Sequence, residues 1–162
     1  MLISFPGAEQ SRVHDLETCK AILDAFQKHG HNEVDTARAY GEGSSEEYLG
    51  DLDWQKRGIV MDTKFYPTAG KSAPGTWDNA LRHTPEGLRE NLMKSLKALK
   101  TDKVDMWYGS DVYDYLSRRA PTLMTLLCRY LHGPDRTTPY DVTMKAVNDL
   151  YKEGYVRLSS LH

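Results

Sequence analysis

Three side chains that could handle a proton together fall in short, ordered runs of this 162-residue chain. Asp35 and Tyr40 belong to Glu33-Val34-Asp35-Thr36-Ala37-Arg38-Ala39-Tyr40, and Lys64 closes Val60-Met61-Asp62-Thr63-Lys64. A phenol with an ordinary pKa of about 10 is a weak proton donor to a carbonyl at neutral pH, and a neighbouring ammonium makes it a better one. The chemistry suggested by a carboxylate, a phenol and an amine is proton delivery to a carbonyl oxygen. Each residue also has a plainer reading. Asp35 could cap a loop, Tyr40 could be a half-buried aromatic, and Lys64 could be solvated.

Both runs read as short strands that deliver these groups at their ends. Before them, Asp15 to His29 has apolar residues at helical spacing and is stopped by Gly30. Asn32 to Asp35 is then a strand and Gly41-Glu42-Gly43-Ser44 a loop. Ser44 with Glu47 offers a capping box for a short helix through Leu49. Ile59 to Lys64 is the next strand. After a loop rich in Gly, Pro and Ser from Pro67 to Gly75, Thr84-Pro85-Glu86-Gly87 opens a helix whose Leu88, Leu92, Leu96 and Leu99 face a core. Lys103 to Tyr108 is a third strand, and Asp141 to Glu153 a further helix ended by Gly154. Regular alternation of strand and helix predicts an α/β fold of parallel units with right-handed crossovers. In such a fold the strand C-termini carry the ligand-binding residues.

With 40% hydrophobic residues the chain can bury a core, and its length suggests one domain. A net charge of -2 gives no electrostatic reason to expect nucleic acid or an anionic membrane as partner. No transmembrane or secretory segment is visible, so a cytoplasmic location is the default expectation. Cys19 and Cys128 have neither CxxC nor metal-ligand spacing and read as reduced structural thiols, with no metal site. Gly41-Glu42-Gly43 is not a dinucleotide fingerprint, and Arg118-Arg119 reads as a solvated pair.

Taken in order, several segments resemble the aldo-keto reductases, closest to the aflatoxin-aldehyde reductase branch. They are Glu33-Val34-Asp35-Thr36-Ala37 with Tyr40, Asp62-Thr63-Lys64, Lys103 to Tyr108, Leu131-His132-Gly133-Pro134-Asp135, and Leu150 to Gly154. The resemblance implies a (β/α)8 TIM barrel, NADPH as hydride donor, and a small-molecule aldehyde or ketone as acceptor. It further implies that Tyr40 is the general acid and Lys64 the ammonium that makes it more acidic. Asp35 would pair with Lys64 at the cofactor side, and His132 would orient and polarise the carbonyl. Hydride arrival builds an alkoxide, which a positioned donor stabilises and protonates.

Two departures from that pattern stand out. Residues 109–129 intervene between Tyr108 and Tyr130-Leu131-His132, where the family runs on directly. An insertion inside a strand is expected to displace His132 unless it is extruded, and its Asp111 to Ser117 and Thr122 to Cys128 portions could form short helices of a lid. At the other end, Tyr155 to His162 stands where the family continues into a Gly-x-Ser-Asn strand. The expectation is a single truncated domain, 1–162, comprising about the first half of a barrel, with Met1 to Phe5 a remnant of its first strand. Retained introns would account for both departures, and a transcript confirming every codon from Tyr108 to Tyr130 would exclude that origin. An open half barrel would expose sheet edges and apolar faces, which a homodimer could cover by completing the barrel. Three functions fit: NADPH-dependent carbonyl reduction, cofactor-free acid/base chemistry such as isomerisation, cyclisation or dehydration, and a non-catalytic fragment.

Overall fold

Asp15 starts the first helix by accepting a hydrogen bond at 2.7 Å from the Thr18 amide, and α1 (Leu16–Lys28) runs from there to a left-handed Gly30. The cap carboxylate supplies an acceptor that the first turn lacks, and glycine takes the positive φ without a Cβ clash. The computed structural model of the chain describes residues 13–68, 81–108 and 135–157. Within them follow β1 (Glu33–Asp35), a 3₁₀ turn (Tyr40–Gly43), α2 (Ser44–Asp51), β2 (Val60–Lys64), α3 (Pro85–Ala98), β3 (Met106–Tyr108) and α4 (Tyr140–Lys152).

The strands form one parallel sheet in the order β1-β2-β3, with Asp35 opposite Asp62 and Lys64 opposite Tyr108. A parallel bridge between Val104 and Val156 carries the ladder one position further. There the Val104 amide donates to the Tyr155 carbonyl at 3.1 Å, and the Arg157 amide donates to the Val104 carbonyl at 2.9 Å. The alternation of strands and helices thus yields the α/β arrangement that the sequence predicts.

One face of the sheet is packed by helices. Leu88, Leu92, Leu96 and Leu99 are all buried, as their helical spacing requires, and meet Met61, Trp54, Leu150 and Val156 in one core. Thr84 caps α3 by accepting from the Gly87 amide at 3.2 Å, with Pro85 at the first helical position. The Trp54 indole N–H donates to the Leu99 carbonyl at 2.9 Å, joining the turn after α2 to the end of α3.

Several boundaries differ from expectation. Ser44 does not cap α2: the residue before the helix is Gly43 in a left-handed conformation, and the Ser44 hydroxyl donates to the Gly41 carbonyl at 2.6 Å. Glu47, the other half of the expected capping box, is exposed, and the helix continues to Asp51. The third strand is shorter than predicted because Asp105 leaves the ladder pattern. Its amide donates to the Met61 carbonyl at 3.1 Å while its carboxylate accepts from the Met61 amide at 3.0 Å.

Asp62 and Lys64 alternate with Met61 and Thr63 and so face away from them, yet both are buried. β1 is where that face opens, since Glu33 and Asp35 are exposed. Among the described residues no helix is long and apolar enough to cross a membrane. Met1 to Phe5, the segment 109–129, Arg118, Arg119, Cys128 and His132 lie outside the described residues.

Candidate active site

The chain leaving β1 does not part from its neighbour. The Thr36 amide donates to the Asp62 carbonyl at 2.8 Å and the Arg38 amide to the Lys64 carbonyl at 3.2 Å, so residues 36–38 run on beside β2 to its end. The Tyr40 amide then bonds the Ala37 carbonyl at 3.0 Å and turns the chain. This path brings the Tyr40 ring to Lys64, whose Nζ lies 5.0 Å from the ring centroid. The same ammonium donates to both Asp35 oxygens at 2.5 Å.

Exposure within the cluster is graded. The Lys64 side chain is 9% exposed and that of Asp35 is 56% exposed, with Tyr40 half-buried. The ammonium is therefore held in the wall while the carboxylate remains open to a ligand. Two short hydrogen bonds to one carboxylate restrict the flexible lysine stem to one direction. Three of the four residues singled out from the sequence are thus brought together: Asp35, Tyr40 and Lys64. The fourth, His132, is outside the described residues.

Beside Asp35 a cleft of about 350 Å³ opens between β1, α1 and α2, lined by Leu23, Phe26, Val34 and Leu49 with Asp35 and Thr36. Its mostly apolar walls, with the Glu33 and Asp35 carboxylates at the strand, suit an organic ligand that carries hydrogen-bond donors. Among the described residues, no three His, Cys, Asp or Glu side chains gather to hold a metal. Cys19 is a buried free thiol whose pKa burial raises to about 11, as a structural cysteine requires.

Two polar hubs near the cluster escaped the sequence reading. Behind Tyr40, Arg38 Nη1 donates to Glu46 Oε2 at 2.7 Å and Thr63 Oγ1 donates to Glu46 Oε1 at 2.6 Å. Burial pushes the Glu46 carboxyl up, and hydrogen bonds from Thr63, Arg38 and Ser95 pull it partly back. Opposite charges flanking the Gly41-Glu42-Gly43 turn were the available signal.

The second hub is the buried carboxylate of Asp135. It accepts from the His83 amide at 2.7 Å, the Thr137 amide at 2.8 Å, the Thr137 hydroxyl at 2.5 Å and the Thr138 hydroxyl at 2.7 Å. Burial opposes its ionisation, but these bonds prevail and hold the carboxyl well below the usual range. Asp135 so ties its segment to the residues that precede α3, where the His83 ring lies 5.4 Å from that of Phe65, the neighbour of Lys64.

Comparison with known proteins gives these features a context. Residues 4–161 match the Aldo/keto reductase family. An aldo-keto reductase of Pseudocercospora fijiensis is 44% identical over 136 residues, which are 84% of this chain and 36% of that protein. The human aflatoxin B1 aldehyde reductase member 4 is 31% identical over 150 residues, 90% of this chain and 36% of its own length. The chain thus spans about a third of the curated relatives it matches. Among solved structures, an aldo-keto reductase from Klebsiella pneumoniae in complex with NADPH superposes with a TM-score of 0.58 at 26% identity, covering 90% of this chain and 40% of that one. The described sheet and helices correspond to part of the (β/α)8 barrel of such neighbours.

Proposed function

Because the chain belongs to the aldo/keto reductase family, we propose that Asp35, Tyr40 and Lys64 serve NADPH-dependent reduction of a small aldehyde or ketone to an alcohol. The observation that carries this reading is the placing of one ammonium, 2.5 Å from both Asp35 oxygens and 5.0 Å from the Tyr40 ring centroid. Bound NADPH would supply the hydride. The exposed Asp35 carboxylate is fit to accept hydrogen bonds from a hydroxyl-bearing ligand at the strand ends, which makes it the residue that would hold the nicotinamide side.

The chain's own part is the proton. Tyr40 would donate it to the carbonyl oxygen as negative charge develops there, and the Lys64 ammonium would stabilise the phenolate left behind. Asp35 would keep that ammonium aimed, while burial of Lys64 keeps water from screening its field. Positioned general acids of this kind are worth about 10²–10⁴-fold in rate. Tyr40→Phe is accordingly expected to lower carbonyl-dependent NADPH oxidation by about that factor, with an unchanged far-ultraviolet spectrum. Absence of NADPH binding by the wild-type chain in a fluorescence titration would reject the reading.

A second reading draws on the same cluster, since the described residues of the site are all proton-transfer groups. Cofactor-free isomerisation or dehydration would use Tyr40 as acid and need no hydride. Turnover without nicotinamide that is lost in Tyr40→Phe would select it.

A further inference from the structure

We propose that the ion pair between Arg38 and the buried Glu46 is the positioning device for Tyr40, bracing the turn that sets its phenol over Lys64; this rests on the reading of Tyr40 as the acid. Tyr40 opens a turn in which Gly41, Glu42 and Gly43 all have positive φ, at 56°, 56° and 97°. A non-glycine residue in that region is disfavoured, and consecutive left-handed residues do not persist unless their surroundings determine them. Arg38 stands two residues before Tyr40 and Glu46 six residues after it, so their ion pair closes the turn from behind.

The brace is anchored to the strand that carries the ammonium. Arg38 is tied through its amide to the Lys64 carbonyl, and Glu46 is tied through its second oxygen to the hydroxyl of Thr63. Thr63 and Lys64 are neighbours on β2 whose side chains leave opposite faces, one towards the brace and one towards the site. Phenol and ammonium therefore share one rigid frame. The guanidinium also fills the space beneath Gly43: a Cβ built there would lie 1.3 Å from Arg38 Nη2. Glu46 is wholly buried and Arg38 23% exposed. Buried ion pairs often stabilise a fold no better than an apolar pair of the same volume, and their charges then add direction.

Tyrosine fluorination tests this without needing turnover. In the full chain labelled with 3-fluorotyrosine, Tyr40→Phe identifies the Tyr40 ¹⁹F resonance, and Lys64→Met gives its position once the ammonium is gone. The proposal expects Arg38→Gln and Glu46→Gln each to move that resonance towards the Lys64→Met position while the other tyrosine resonances stay, and Arg38→Lys to restore part of the shift. With a turning-over enzyme, kcat falls roughly 10²-fold in Arg38→Gln and KM for the carbonyl changes little, as misplacement of a reacting group requires. An unmoved Tyr40 resonance in a folded Arg38→Gln chain overturns the proposal. Should Glu46→Gln lose its circular dichroism, the Arg38 variants, at the partly exposed partner, decide alone. A moved resonance in a chain whose wild type neither binds nor oxidises NADPH upholds the positioning role and rejects the reductase; turnover with an unmoved resonance does the reverse.

Discussion

Asp135 and Glu46 are both buried carboxylates, yet their environments push them in opposite directions. Hydrogen bonds from Thr137, Thr138 and the His83 amide hold Asp135 below the usual carboxylate range, so the unfolded chain, where Asp titrates near 3.9, binds more protons than the folded one. The stability Asp135 contributes is therefore complete above about pH 5 and drains away as pH falls below about 4 towards the folded value. Asp135→Asn should cost about 1–3 kcal/mol at neutral pH, and the gap from wild type should narrow between about pH 5 and 3. Urea titrations at stepped pH would measure this, and two parallel curves would refute it. Glu46 is raised, chiefly by burial, so its linkage has the reverse sign: its relative contribution is present below the unfolded value and is lost as pH rises through the folded one. The narrowing expected on acidification thus belongs to Asp135.

Among the elements, α2 and α3 are set by how closely their backbones approach. A Cβ on Gly50 would lie 2.3 Å from the Ala98 carbonyl oxygen, which belongs to the backbone and cannot swing aside. Alanine in a helix interior is ordinarily favoured over glycine by about 1 kcal/mol. Here the overlap should win, and Gly50→Ala is expected to destabilise by about 1–3 kcal/mol in urea unfolding; a stabilised variant would show that the helices can part. Along the sheet, β2 is flanked by strands on both edges and buried on both faces, whereas Glu33 and Asp35 of β1 are exposed. Amide exchange should accordingly be slowest at Asp62, Thr63 and Lys64 and faster through β1. Equal protection across the two strands would mean that they open as one.

For the molecule as a whole, the legible part of the sequence was the part governed by local periodicity. The spacing of Leu88, Leu92, Leu96 and Leu99 announced a buried helix face, the ends of β1 and β2 placed Asp35 and Lys64 at the ligand-binding rim, and the family resemblance implied their pairing. The polar hubs were not legible, because Thr63 finds Glu46 across 17 positions and the His83 amide finds Asp135 across 52. No short-range pattern encodes such pairings. The expected capping box failed for a related reason: Gly43, left-handed and packed on Arg38, already occupies the position before the helix. Since α2 begins directly after that turn, the number of residues between Tyr40 and Glu46 sets the helix's rotational phase. An α-helix advances about 100° per residue, so one residue inserted or deleted in the turn would swing Glu46 out of the wall and away from Arg38. Exposed Glu42 could change its side chain with little consequence, but its place in the count could not be dropped. A descendant of this chain can change the side chain at Glu42, and inherits the turn's glycines and its length.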